Sequence, residues 1–237
     1  VYYIYNEFPD YENVDVNRLR RWWDNHKHQT LFQTDRLRVK TQDKFVETFE
    51  SYRSLMNGRT QADYFASLKQ PTRQNTYDNC FQDLLRIRNF GRFTMFIYLE
   101  MVNVLTGYDF EPTILDLKNA ESCRNGLVYY LDRPELDTHG KKKTISKRAM
   151  QYLQYEFSEL KNLIQSTDVE HKNIWNIETT LCAYKKYRRG KRYVGYYIER
   201  MRKEIDKMET LVPYGVDWSV LWDFRKETYD KKWLTEL

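Results

Sequence analysis

Apolar residues recur every three or four positions along most of the chain, which is the spacing of one face of an α-helix. The segment 41–56 shows the pattern clearly, with Phe45, Phe49 and Met56 on one side. Only 8 glycines and 5 prolines occur in 237 residues, so few positions favour tight turns. The pattern predicts helices over 15–29, 41–56, 59–70, 146–165, 173–187, 193–210 and 217–232, and a pair of helices within 78–107.

Single residues mark several of the predicted helix ends. Asp15 can cap the first helix, because its side chain can accept hydrogen bonds from the first turn. Pro71 ends the helix that precedes it, and Gly91 separates the two helices within 78–107. These signals predict separate helices that end at these positions.

The composition, with 41% hydrophobic and 31% charged residues, is that of a globular protein. We expect a single domain over 1–237 that is mainly α-helical with minor β content, and a ring-rich strand or extended arm at 1–13. The three cysteines form no CxxC pair, which favours a reducing cytoplasm. No apolar run approaches the roughly 18–20 residues that span a bilayer, and no signal peptide opens the chain. Neither a membrane nor secretion is therefore expected.

Positive charge is concentrated in one segment. The net charge is only +5, yet six of the eight residues from Lys185 to Arg192 are basic. Such a run can bind phosphate groups of DNA or pyrophosphate, or can form an ordinary solvated surface. Three tyrosines follow closely and could stack on bases or simply pack: Tyr193, Tyr196 and Tyr197.

A possible reaction centre precedes this run. On a helix, Glu178, Cys182 and Lys185 or Lys186 share one face at the edge of the apolar stripe. Neighbouring cations favour the thiolate form of a cysteine, which is its nucleophilic form. The alternative is a small buried cysteine beside an ordinary Glu–Lys helix pair.

Glu100 is a second candidate. It is the only charged residue between Arg92 and Asp109, in a stretch that is apolar nearly all round and is predicted to form a central buried helix. A buried carboxylate needs a partner or a shifted pKa, and Arg88 and Arg92 are the nearest basic residues. A catalytic or amine-binding role and a structural ion pair both remain open.

Two weaker patterns bring further polar residues together. Asp35 lies beside Arg36, and Arg124 and Asn125 precede a glycine that indicates a turn. No Walker A loop, GxGxxG or HExxH motif is present, and the four histidines form no recognised metal motif. A kinase, a nicotinamide enzyme and a zinc hydrolase are therefore not indicated.

Three stretches, "RNFGRFTMFIYLEMV", "SCRNGL" and "IETTLCAYKK…GKRYVGYYIER", resemble the bacteriophage enzymes of thymine hypermodification. These enzymes are called α-glutamyl/putrescinyl thymine pyrophosphorylases or amino acid:DNA transferases. The resemblance covers roughly residues 20–225 and implies a helical, DNA-glycosylase-like fold. It implies that a partner kinase pyrophosphorylates 5-hydroxymethyluracil in double-stranded DNA, and that the transferase displaces pyrophosphate with an amino acid or a polyamine. The base would be flipped out of the duplex. The location implied is the cytoplasm of the infected bacterium.

The resemblance assigns roles to the candidate residues. Glu100 or Glu178 would hold or deprotonate the incoming amine. Clustered cations, which Mg²⁺ could assist, would stabilise the leaving pyrophosphate. The substrate- and DNA-binding set is Asp35, Arg36, Arg92, Arg124, Asn125, Lys186, Arg188, Arg192, Tyr193, Tyr196, Tyr197 and Arg200, and the catalytic set is Glu100, Glu178, Cys182 and Lys185.

Two routes fit the transfer reaction. In direct displacement the amine attacks the CH₂ carbon, which needs only positioning and leaving-group stabilisation. In the covalent route the Cys182 thiolate adds to C6 of the uracil, pyrophosphate leaves to give an exocyclic methylene, and the amine adds to it. The direct route is favoured here, because a helical cysteine beside an apolar stripe usually packs.

Two other functions compete with the transferase. A glycosylase-like repair protein would release the base, although "SCRNGL" matches a helix–hairpin–helix poorly. A non-catalytic helical DNA-binding protein would bind in a salt-dependent way without needing Glu100 or Glu178.

Overall fold

The computed structural model describes residues 7–10, 13–27, 44–138, 144–170, 172–211 and 215–235. These residues form α-helices and contain no β-strand, which confirms a mainly helical protein. The predicted strand or arm at 1–13 lies largely outside them, and Asp35 and Arg36 lie wholly outside. The helices are α1 (Val16–His26), α2 (Lys44–Met56), α3 (Gln61–Ser67), α4 (Arg73–Leu84), α5 (Arg92–Thr106), α6 (Glu121–Tyr130), α7 (Lys147–Gln165), α8 (Ile174–Arg188), α9 (Tyr196–Leu211), α10 (Ser219–Thr228) and α11 (Lys231–Thr235), with a 3₁₀ turn at Pro134–Leu136.

Most helix ends agree with the local sequence signals. The Asp15 carboxylate accepts a hydrogen bond of 2.8 Å from the Asn17 amide and caps α1, as predicted. Gly91 precedes α5 and separates it from α4. The predicted helix over 217–232 is instead two helices, because the backbone is extended at Tyr229.

The described residues group into two compact units, 1–120 with 162–178 and 121–161 with 179–237. The prediction of one domain therefore stays a prediction. Among the described helices none is long and apolar enough to cross a membrane.

The first unit is built on aromatic side chains. Its core is lined by buried rings that include Tyr64, Phe65, Tyr77, Phe110 and Trp175. The indole nitrogen of Trp175 donates a hydrogen bond of 3.2 Å to the Phe96 carbonyl. A large part of the aromatic content of the chain therefore stabilises this core and is not available for stacking on bases.

Helix α5 is not buried on all sides, contrary to the prediction. Met95, Leu99 and Val102 face the core of the first unit, whereas Val104 and Leu105 are 65% and 78% exposed. The buried residues follow a spacing of three to four positions, so the helix packs on one face even though its sequence is apolar nearly all round.

In the second unit, α6 and α8 approach each other unusually closely. A Cβ added to Gly126 would lie 2.1 Å from the backbone oxygen of Leu181. Only glycine, which has no Cβ, allows this approach. The glycine that the sequence indicated as a turn signal is therefore inside a helix, and "SCRNGL" forms most of α6.

Candidate active site

The close approach of α6 and α8 brings three reactive side chains together. Ser122 Oγ accepts a hydrogen bond from Lys185 Nζ and lies 2.9 Å from Cys182 Sγ. Lys185 and Cys182 are only 7% and 9% exposed. A hydroxyl, a thiol and an amine thus form one hydrogen-bonded and largely buried group in the second unit.

Further along α6, two polar side chains are buried against the segment that follows the 3₁₀ turn. Arg124 donates a hydrogen bond of 2.9 Å to the Thr138 hydroxyl, which also lies 3.3 Å from the side-chain oxygen of Asn125. Asn125 is 1% exposed, and its side-chain NH₂ has no hydrogen-bond partner in the described part of the chain. Burial lowers the pKa of Arg124. An unsatisfied buried NH₂ is costly in a folded protein, and a ligand oxygen would satisfy it.

The predicted tyrosine cluster forms around one arginine. The Arg192 guanidinium lies 3.8 Å from the centre of the Tyr196 ring and 4.9 Å from that of Tyr197, in cation–π geometry. Tyr193 packs edge-on against Tyr196. Arg192 Nη1 is buried and has no hydrogen-bond partner among the residues described. The rings therefore orient Arg192, which keeps a donor that a phosphate oxygen could accept.

Tyr197 connects this cluster to the reactive group on α6 and α8. Burial raises the pKa of its hydroxyl, the positive charge of Arg192 lowers it, and the nearby Cys182 raises it. Tyr197 is therefore close enough to Cys182 for an electrostatic interaction.

The other predicted cations of this segment are engaged locally. Arg188 donates to the Tyr184 hydroxyl at 2.8 Å and pairs with Asp132 at 3.4 Å. Arg200 forms an ion pair of 3.6 Å with Glu204 in α9, and Lys186 is half-buried on α8. Exposed pairs of this kind are weak, so Arg188 and Arg200 can exchange their carboxylates for phosphate groups.

Glu100 and Glu178 belong to the first unit, where they influence each other. Burial raises the pKa of the Glu100 carboxyl, and the negative charge of Glu178 raises it further. Neither expected arginine forms an ion pair with Glu100: Arg92 pairs with Asp116 at 2.8 Å, and no ion pair between Arg88 and Glu100 occurs in the described structure. Glu100 therefore holds its proton to a higher pH than an ordinary glutamate does.

Replacing Glu100 with glutamine should stabilise the protein at neutral pH. Because the folded-state pKa lies above the ordinary value of 4.5, the folded state holds the proton more tightly, and the free energy of unfolding falls as pH rises through this window. In E100Q the free energy of unfolding should no longer fall over this pH range, and at low pH it should equal that of the wild type. Urea denaturation between pH 4 and pH 8 measures this, with the exposed Glu159→Gln as control. Equal pH dependence of E100Q and the wild type would contradict it.

Sequence reasoning missed Ser122 and Thr138. Ser122 contacts residues 60 and 63 positions away, which helical periodicity cannot show. One signal was present: Gly126 is four residues after Ser122, and a glycine inside a helix marks a close approach on that face. The described residues contain no group of three or more histidine, cysteine or acidic side chains that could hold a metal ion.

A family model described as "Amino acid:DNA transferase" matches residues 3–193. The chain belongs to the amino acid:DNA transferase family.

A relative named "Serinyltransferase", from Salmonella phage ViI, is 29% identical over 240 residues. The match covers 94% of this chain and 58% of the relative, so the chain spans little more than half of that protein's length. No solved structure matches. The DNA-glycosylase-like fold therefore stays a prediction.

Proposed function

We propose that this protein transfers an amino acid or amine to a modified thymine base in DNA by displacing pyrophosphate from 5-(pyrophosphoryloxymethyl)uracil. The family match over residues 3–193 carries the proposal, because it supports transfer of an amino acid to DNA. A kinase acting on 5-hydroxymethyluracil in double-stranded DNA would supply the substrate. The amine nitrogen forms a C–N bond at the CH₂ carbon, the bond from that carbon to pyrophosphate breaks, and the amine gives up a proton to a base.

The second unit offers the charge that a pyrophosphate leaving group needs. Arg192 is oriented by two tyrosines and keeps an unused donor, and Lys185 lies buried beside a hydroxyl and a thiol. Fixed cations in a partly buried site stabilise charge that develops as the bond to the leaving group breaks. Arg188 and Arg200 are exposed and suit the DNA backbone, where each contact adds to salt-dependent affinity.

The unsatisfied NH₂ of Asn125 suits recognition of the substrate. Base carbonyl oxygens and the carboxylate of an amino acid are both acceptors, and a buried donor rejects ligands that leave it unpaired. Mg²⁺ would enter bound to the pyrophosphate oxygens, as it does with other phosphate substrates.

Serine is the first donor to test, because the phage ViI relative is named a serinyltransferase. The experiment incubates DNA that carries pyrophosphorylated 5-hydroxymethyluracil with the protein, amino acids and polyamines, with and without a chelator. The DNA is digested and its nucleosides are identified by mass spectrometry. The expected result is a nucleoside heavier than thymidine by the donor, together with released pyrophosphate.

Other products would overturn the proposal. Abasic sites in place of an adduct would indicate a glycosylase. Unchanged DNA together with salt-dependent binding would indicate a DNA-binding protein without this activity.

A further inference from the structure

The hydrogen bonds of Ser122 define a chain of three proton-carrying groups. Lys185 Nζ donates to Ser122 Oγ, which lies 2.9 Å from Cys182 Sγ. A hydroxyl can donate and accept at once, whereas an ammonium can only donate. When Lys185 is protonated and donates to Ser122, the hydroxyl hydrogen of Ser122 is available to Cys182.

We propose that Ser122 relays a proton between the Cys182 thiol and the Lys185 amine, and so activates Cys182 as a nucleophile toward the electron-poor C6 of the modified pyrimidine. The role in transfer rests on the proposed function. Ser122 is a positioning residue, since it acts through Cys182 and need not touch the substrate.

The relay moves one proton between two end states. In one, the thiol donates to the Ser122 oxygen and the hydroxyl donates to a neutral amine. In the other, Lys185 is an ammonium that donates to Ser122, whose hydrogen points to a thiolate. Hydrogen bonding to the charged form stabilises it, so the second state gives a nucleophilic sulfur in a site where Lys185 and Cys182 are both largely buried.

The covalent transfer needs no reactant beyond the modified DNA and the amine. The thiolate forms an S–C6 bond, and the C5–C6 electron pair moves to the O4 carbonyl to give an enolate. The enolate expels pyrophosphate and leaves an exocyclic methylene at C5. The amine adds to this methylene and loses its proton to a base, and the electrons return to expel the thiolate, which recovers its proton from Lys185 through Ser122.

Several groups near Cys182 bear on its reactivity. Within the second unit these are Lys185 on the same helix, Ser122 on α6 and the Tyr197 hydroxyl at the start of α9. Glu178 lies one turn earlier on α8. Cys80 provides a contrast in the same chain, because burial raises its pKa to about 12 and keeps it a thiol at neutral pH.

The test follows alkylation of each cysteine of the full chain by iodoacetamide, resolved by peptide mass spectrometry. At pH 7, Ser122→Ala should slow the modification of Cys182 about tenfold, because a hydrogen bond to a charged group is lost. Ser122→Thr keeps the hydroxyl and should restore the rate to within about threefold. Cys80 should stay slow in every variant at pH 7.

If Ser122 were merely structural, its replacement by alanine would not slow the alkylation of Cys182. Removing its oxygen would open space beside the sulfur, so S122A would be modified as fast as the wild type or faster, and this result overturns the relay. A second arm adds pyrophosphorylated DNA and looks for a pyrimidine nucleotide on the Cys182 peptide after denaturation. Transfer at the full rate by S122A without any adduct also overturns the proposal.

The two proposals can fail separately. If Cys182 is alkylated fast and only when Ser122 is present, but the protein transfers nothing to DNA, the proposed function is contradicted and the relay is not.

Discussion

Replacing Gly126 with alanine should destabilise the protein more than any other single methyl addition at a described glycine. The new Cβ would lie 2.1 Å from the Leu181 carbonyl oxygen and 2.5 Å from its carbon. These are backbone atoms inside α8, so relief requires the two helices to separate. Overpacking of this kind costs about 3 kcal/mol, and the better helix propensity of alanine returns only about 1 kcal/mol. A net loss of roughly 2 kcal/mol is expected from these two effects.

Gly91→Ala is the matched control for this measurement. A Cβ at Gly91 meets nothing within 4 Å, and its φ of −82° suits alanine. Gly91→Ala should lower the free energy of unfolding by at most about 1 kcal/mol, since Gly91 only caps α5. Urea denaturation followed by circular dichroism compares the two variants. Equal stabilities would mean that α6 and α8 do not approach as closely as the structure shows.

G126A also tests the site, because the same approach positions Ser122 against Cys182 and Lys185. Where the variant still folds, the separated helices should lengthen both hydrogen bonds of Ser122. Alkylation of Cys182 at pH 7 should then resemble that of S122A.

Much of the helical architecture could be predicted from the sequence because helix ends depend on local signals. Asp15 caps α1 through its own side chain, and Gly91 separates α4 from α5. The extent of burial was not predictable in the same way. Residues of α5 such as Val104 and Leu105 are apolar but exposed, because burial depends on which neighbouring helices are present.

Only part of the candidate site could be predicted from the sequence. Cys182 and Lys185 could be paired because they lie on one helix. Ser122 could not be added, because its contacts cross 60 residues of sequence. The dipeptide Asn125–Gly126 predicts a turn, since it often forms one. In the structure Gly126 lies inside a helix, where its missing side chain allows α6 and α8 to approach closely.

The second large effect concerns Lys185, whose replacement by methionine should lower transferase turnover by at least about 100-fold. Methionine keeps most of the side-chain volume but removes the group that hydrogen-bonds Ser122 and charges the site. Lys207→Met, which removes one exposed charge from α9, is the control and should change turnover less than about threefold. Nucleoside mass spectrometry on pyrophosphorylated DNA measures both, with circular dichroism to confirm folding.

Lys185→Arg then separates the two roles that Lys185 could have. Arginine keeps the positive charge but does not release its proton in proteins, so it can stabilise pyrophosphate and cannot complete a relay. Because Lys185 must accept and return the Cys182 proton in each turnover, K185R should be as inactive in transfer as K185M. If K185R instead keeps most of the turnover, Lys185 acts through its charge alone. The amine would then displace pyrophosphate directly, without a thiolate on C6.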